Sequence, residues 1–115
     1  MPGAFSHEDL GNAVNSGQAM IVDPGDDGVI PLEKCGGTCK CVVAGAEDRF
    51  LADPVGYPGF WLYVSNFDGT GEDITLKNSV GTTVATIGDG ETALAHNADG
   101  ASTGWTATIL VLGAT

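Results

Sequence analysis

Positive charge is scarce in this 115-residue chain. Only four residues are basic against fifteen acidic ones, and the formal net charge is −11. Proteins bind nucleic acid through clusters of Lys and Arg that neutralise phosphates, and anionic membrane surfaces attract the same residues. The composition therefore argues against nucleic acid and membranes as partners. It favours a basic protein surface, a bound cation or simple solubility.

Long apolar runs are missing as well. The longest one, residues 108–112, is far shorter than the ~20 residues that a membrane-spanning helix needs. The first ten residues, MPGAFSHEDL, contain neither the basic nor the apolar region of a signal peptide. We therefore expect a protein made in a cytosol, and its length fits one domain.

The motifs of common catalytic sites are also absent. The sequence contains no G-x-S-x-G elbow, no H-E-x-x-H and no phosphate-binding loop. The cluster His7-Glu8-Asp9 lies in a segment without a strong structural pattern, where a rigid active site would not be built. We therefore predict that the protein is not an enzyme and binds no cofactor.

Cysteine is rare, and its three copies form one cluster, Cys35, Cys39 and Cys41. An odd number of cysteines in a cytosolic protein argues against a disulfide framework. Their C-x-x-x-C-x-C spacing differs from the paired C-x-x-C units of structural zinc sites, and only His7 and His96 could complete a ligand set. We predict plain thiols beside a strand and no metal. If a metal does bind, these three cysteines are its ligands, and one local or inter-chain disulfide is the other alternative.

Glycine is abundant, with 18 residues, and it separates short runs rich in β-branched side chains. Predicted strands cover residues 19–22, 29–32, 41–44, 60–66, 73–77, 82–87, 92–96 and 105–112, and 47–51 is ambiguous between strand and turn. Pro31 places its segment at a sheet edge or a strand end. The spacing is typical of sandwiches and barrels. We predict an all-β fold, a single small β-sandwich or distorted β-barrel at 19–115, preceded by an extended N-terminal arm at 1–18.

The strongest strand pattern is FWLYVSN at residues 60–66. Alternation gives one face Phe60, Leu62 and Val64, and the other face Trp61, Tyr63 and Ser65. Because both faces are bulky, we predict a central strand that is covered on both sides. The second cover could be another sheet, a loop or a neighbouring subunit.

Two small-ligand hypotheses deserve testing against the structure. Two acidic turns could offer oxygen ligands to Ca²⁺, although neither turn matches the EF-hand pattern. One turn contains Asp23, Asp26 and Asp27, and the other contains Asp68, Glu72 and Asp73. An aromatic platform for carbohydrate could form beside Asp53 from Tyr57, Phe60, Trp61 and Tyr63. Solvated turns explain the first group equally well, and core or interface packing explains the second.

The C-terminal third carries a resemblance to a known class of proteins. It reads ITLKNSVGTTVATIGDGETALAHNADG at residues 74–100, followed by Gly104-Trp105. This series of hairpin strands, Asn/Gly turns, a Gly-Asp-Gly-Glu turn and a late Trp resembles small β domains of tailed-bacteriophage virion proteins, especially head decoration (cement) proteins and fibre modules. It covers roughly a third of the chain. The residues before it, including the cysteine cluster, carry none of the resemblance.

The resemblance implies a structural virion protein, made in the host cytoplasm, that sits on the outer surface of the capsid. Such a protein binds as a homotrimer and stabilises the shell by clamping major capsid proteins. On this hypothesis the contacts come from the N-terminal arm and from the aromatic face of residues 60–66, at Phe5, His7, Leu10, Val14, Trp61 and Tyr63. The alternatives are a tail-fibre or spike module that contacts the host, and a carbohydrate- or calcium-binding β module.

Overall fold

The computed structural model describes residues 20–32, 36–67, 70–98 and 104–110, and nearly all of its regular structure is β. Nine strands follow in chain order: β1 (Met20–Ile21), β2 (Gly28–Val29), β3 (Thr38–Cys41), β4 (Glu47–Phe50), β5 (Trp61–Asn66), β6 (Ile74–Lys77), β7 (Thr83–Ile87), β8 (Glu91–Asn97) and β9 (Trp105–Leu110). One turn of 3₁₀-helix spans Pro54–Gly56. Among these residues no helix is long and apolar enough to cross a membrane. The predicted arm at 1–18 lies outside the described residues.

The strands form two mixed sheets that pack as a sandwich rather than a closed barrel, which confirms the predicted fold class. Sheet A has the order β1-β3-β5-β8-β9, and sheet B has the order β2-β4-β6-β7. The first six strands alternate between the sheets, and neighbours within a sheet are parallel. Each passage of the chain therefore adds one strand to each sheet, as in a coil.

The C-terminal third leaves this winding and pairs antiparallel. Strands β6 and β7 form a hairpin, as do β8 and β9. The turn at residues 88–91 does not join a hairpin, since it carries the chain from β7 in sheet B to β8 in sheet A. Two contacts hold the crossing, since Gly88 donates its N–H to Glu91 Oε1 and Gly90 donates to the carbonyl of Asn66.

The core lies between the inner faces of the sheets. Sheet A contributes small and medium side chains, and sheet B contributes larger aliphatic ones, so that the fully buried set includes Cys39, Cys41, Leu62, Val64, Ala93, Ala95, Ile74, Leu76 and Ile87. Trp105 is 4% exposed and donates its indole N–H to the carbonyl of Ala52 at 2.8 Å. The hydrogen bond therefore links strand β9 of sheet A to the loop after β4.

Strand β3 differs from its prediction because it lies on the cysteines rather than after them. Residues 41–44 were predicted, whereas the ladder covers Thr38–Cys41. Val42 instead donates its backbone N–H to Asp23 Oδ2 at 2.8 Å, and its side chain is exposed. A side-chain acceptor therefore ends the ladder there. Residues 47–51, which the sequence left ambiguous between strand and turn, contain strand β4 at Glu47–Phe50. The strand predicted at 29–32 is shorter than expected, since β2 covers only Gly28–Val29, but it does lie at a sheet edge, as Pro31 predicted.

Candidate functional site: a buried arginine centre and an acid-free sheet face

Arg49 lies on the inward side of β4, and its side chain is 0% exposed. All five N–H groups of its guanidinium have acceptors, which belong to the two preceding residues of β4 and to the loops that follow β1 and β3. They are Asp23 Oδ1 (2.7 Å) and Oδ2 (3.2 Å), Glu47 Oε1 (2.9 Å), the Asp48 carbonyl (3.1 Å) and the Val42 carbonyl (3.2 Å). We call these groups the Arg49 centre.

The Arg49 centre links the two sheets. Asp23 follows β1 and Val42 follows β3, both in sheet A, whereas Arg49 belongs to sheet B. A buried cation is strongly destabilising unless it is paired and hydrogen-bonded, and here every donor is satisfied. Burial alone would lower the pKa of Arg49, but the bonds to Asp23 and Glu47 raise it, so the guanidinium stays charged.

Asp23 is saturated as an acceptor. Its two carboxylate oxygens accept from the backbone N–H groups of Gly25 and Val42 in addition to the two bonds from Arg49. Burial alone would raise the pKa of Asp23, but the bonds from Arg49, Val42 and Gly25 outweigh it, and the pKa lies below its ordinary value of 3.8. The predicted calcium turn is therefore not assembled as a set of free carboxylates. Asp26 is also engaged, because it accepts from the N–H of Asp48.

Cys39 and Cys41 lie beside this centre as free, fully buried thiols. Their Sγ atoms are 3.8 Å apart, and both lie within 4.8 Å of a carboxylate oxygen of Asp23. This spacing resembles the edge of a tetrahedral zinc site, which is roughly 3.8 Å for zinc–sulfur bonds of about 2.3 Å. The group is therefore the candidate metal site among the described residues, and Cys35 lies outside them.

The surroundings of the two thiols favour a packed core over a metal centre. Asp23 could bind a metal only by giving up hydrogen bonds to Arg49 or to the backbone, and the guanidinium charge repels a second cation. Hydrogen bonding to Cys39 and burial raise the pKa of the Cys41 thiol well above its ordinary range. Metal binding requires thiolates, so the environment opposes the form that would bind.

Among the described residues, the outer face of sheet A contains no carboxylate, although the chain has fifteen acidic residues. Strand pairing places alternate residues of all five strands side by side on this face. They are Met20, Thr38, Lys40, Trp61, Tyr63, Ser65, Thr92, Leu94, His96, Thr106, Thr108 and Leu110. We call it the acid-free face. The outer face of sheet B, by contrast, carries an ion pair between Asp48 and Lys77.

Two predicted contact residues, Trp61 and Tyr63, lie together on the acid-free face. Their rings meet edge to face with centroids 5.6 Å apart. The Trp61 ring rests on Gly36, where a Cβ atom would come within 2.7 Å of it and where φ is +85°. Trp61 is 38% exposed and Tyr63 is partly buried. The prediction of cover on both sides of β5 therefore holds for the core side, and the described residues leave Trp61 partly uncovered.

A shallow groove of about 470 Å³ lies on the acid-free face over residues of β1, β3 and the end of β5. Met20 and Phe67 line it, and both are exposed hydrophobic side chains, at 50% and 41%. The groove also contains the polar groups of Thr38, Lys40 and Ser65. Exposed apolar side chains with few polar groups between them are typical of a protein-binding surface.

The aromatic residues proposed for carbohydrate do not form one platform. Tyr57 and Phe60 pack edge to face with each other and against the core, whereas Trp61 and Tyr63 lie on the opposite face. Asp53 accepts from the N–H of Val55 at the start of the 3₁₀ turn. The four side chains therefore do not support the carbohydrate hypothesis, and Tyr57 and Phe60 follow the alternative of core packing.

The structure places two of the six predicted contact residues, Trp61 and Tyr63. The other four, Phe5, His7, Leu10 and Val14, lie outside the described residues. The same face also carries Met20, Phe67 and Leu94, which the sequence analysis did not single out. The alternation in residues 91–97 could have predicted that Leu94 lies on the sheet face opposite to the buried Ala93 and Ala95. The groove depends on the parallel pairing of β1 with β3, and no local sequence pattern predicts that pairing.

Comparisons of the chain with protein-family models, with curated proteins and with solved structures found no match.

The Arg49 centre predicts strong coupling between Arg49 and Asp23. Arg49→Met should lower the free energy of unfolding by about 3–5 kcal/mol, because it leaves buried carboxylates without their cation. Adding Asp23→Asn to that variant should lower the free energy of unfolding much less than the same substitution lowers it in the wild type. Urea unfolding of the two single variants and the double variant measures this. Additive losses would show that the two residues act independently.

The thiol pair predicts unreactive cysteines without metal. In a Cys35→Ser variant, an aromatic disulfide reagent should titrate neither thiol quickly in the native state and both after denaturation, because Cys39 and Cys41 are buried. Elemental analysis of the native wild-type protein, which keeps all three cysteines, should find no stoichiometric zinc. One equivalent of zinc, or two rapidly reacting thiols, would overturn this interpretation.

Proposed function

We propose that the chain is a structural virion protein, a capsid decoration protein of a tailed bacteriophage. It binds the outside of the head shell through the acid-free face of sheet A and stabilises the shell by holding neighbouring major capsid proteins together. The virion surface is then its location after synthesis in the host cytoplasm. The resemblance of residues 74–105 supports the phage assignment.

The observation that carries the proposal is the acid-free face itself. In a chain of net charge −11, the outer surface of a five-stranded sheet bears no carboxylate from the part of the chain that the structure describes, and it presents Met20, Trp61 and Leu94. Large aromatic and apolar side chains with depleted acidic charge mark the centre of protein interfaces. A rigid sheet that presents such a surface suits attachment to a large protein lattice.

The remaining acidic surface suits the same role. Described acidic residues outside the Arg49 centre lie mainly in turns and loops, as at Asp53, Asp73 and Asp89. Their charge keeps copies apart and soluble before attachment. Two parts of the prediction, the arm contacts at Phe5, His7, Leu10 and Val14 and the three-fold assembly implied by the resemblance, stay predictions.

The proposal predicts saturable binding to head shells. Expanded shells of the tailed phage whose genome carries the gene should bind the full chain up to a fixed stoichiometry in co-sedimentation. Trp61→Ala should weaken that binding about thirtyfold, since loss of a central aromatic contact costs about 2 kcal/mol. Leu94→Glu should weaken it at least as much. The matched control is Val29→Glu, on sheet B, which should bind like the wild type.

The outcomes separate the proposal from its alternatives. Circular dichroism and thermal unfolding must first show that each variant keeps the fold. Binding to host cells instead of shells would identify a tail-fibre module, and no binding to shells would overturn the proposal. Removal of residues 1–16 tests the arm separately, since loss of shell binding with an intact fold would assign contacts to it.

A further inference from the structure

The two open sides of the sandwich differ in how they are protected. On one side the sheets end in β1 and β2, which have two residues each and lie near Pro24 and Pro31. On the other side they end in β9, with six residues, and β7, with five. Very short strands and prolines prevent a sheet edge from pairing with another chain. The second side, which we call the β7/β9 side, has longer strands without proline.

The β7/β9 side is also free of charge. Residues 78–88 and 100–115 contain no charged side chain, and β7 and β9 lie within these two stretches. Lysine or another charged residue on an edge strand is the common device against edge pairing. Both edges on this side lack it, in a chain whose other parts carry all nineteen charged residues, fifteen acidic and four basic.

The core is incompletely covered on the β7/β9 side. Val84, Ala85, Ala107 and Ile109 pack against the core but are only partly buried. On the opposite side Ile21 and Ile30 are buried, at 8% and 0% exposure. Apolar surface therefore continues from the core to the β7/β9 side, where further burial would be favourable.

The free edge of β9 presents backbone groups at defined residues. Ala98 donates to the carbonyl of Gly104, and Asn97 donates to that of Phe60, which sets the alternation of the ladder. Residues 106, 108 and 110 consequently bond to β8, and residues 105, 107 and 109 direct their N–H and C=O groups outward. Among the described residues no strand pairs with this edge.

We propose that a second copy of this chain docks on the β7/β9 side, edge to edge across a two-fold axis. A partner for this side must present two neighbouring strand edges in the same arrangement, one from each sheet, and an identical copy does so. Copies of net charge −11 also need a contact surface without carboxylates, and the β7/β9 side provides one.

The resulting assembly is a dimer in which both sheets continue from one copy into the other. A two-fold axis perpendicular to the sheets pairs β9 with β9 and β7 with β7, each antiparallel. The half-buried side chains of Val84 and Ile109 then become interior. This inference is independent of the proposed capsid role, and its two-fold symmetry differs from the three-fold assembly that the resemblance implies.

Analytical ultracentrifugation of the full chain over a wide range of concentrations tests the dimer. The wild type should show twice the 11.6 kDa mass of the chain. Ala107→Pro removes one outward N–H while leaving the bonds to β8, and Thr108→Glu places a carboxylate on the exposed edge. Each should weaken dimerisation at least about tenfold, which corresponds to 1.4 kcal/mol. Val29→Glu, which adds the same charge on the opposite side, should leave the dimer intact.

Three results would overturn the proposal: a wild type that stays monomeric at all concentrations, a trimer, or a dimer that survives both edge variants. Thermal unfolding shows whether each variant remains folded. If Ala107→Pro fails to fold, Thr108→Glu decides alone, because its site is exposed and its side chain contributes nothing to the core.

Discussion

The burial of one guanidinium is the constraint on which this fold depends. Arg49 occupies an inward position of β4 where an aliphatic residue would be usual, and it is 0% exposed. Removing such a cation from water costs several kcal/mol, and only a complete set of acceptors offsets it. Asp23 and Val42, which follow the first two strands of sheet A, supply much of that set. The loops of one sheet are thereby fixed to a strand of the other.

The polar contacts that stabilise the fold and the surfaces that we propose for binding lie in different parts of the molecule. The polar links lie inside the sandwich or at its ends, where Asn97 also donates to the carbonyls of Pro54 and Tyr57. Within the described ranges, the outer face of sheet A and the β7/β9 side carry no carboxylates, although the chain is acidic. One surface is a broad, partly aromatic face, and the other is a pair of strand edges. We infer that they serve different partners, a protein lattice and a second copy.

Local patterns in the sequence predicted most strands, and non-local pairing explains what they missed. Residues 60–66 alternate clearly, and the Asn78 turn supplies its own acceptors to Val80 and Thr82, so β5, β6 and β7 were predicted within a residue or so. The alternation between sheets joins strands that are distant in sequence, as in the pairing of Met20 with Thr38, and no short pattern encodes it. The sequence left residues 47–51 ambiguous because the structural role of Arg49 depends on Asp23. These two residues are distant in sequence and meet only in the folded protein. The surface of Trp61 and Tyr63 was predicted from alternation, whereas the groove beside it needed the fold.

The most direct test of the central claim is the pH dependence of stability in the wild type and in Asp23→Asn. The pKa of Asp23 is lowered in the folded state, so its contribution to stability is present above its ordinary value of 3.8 and is lost as the pH falls through the folded pKa. Urea unfolding between about pH 7 and about pH 2.5 should show the wild type more stable by a constant margin down to about pH 4, and the margin should shrink below that. A margin that stays the same across the whole range, or no margin at neutral pH, would contradict the role assigned to the Arg49 centre.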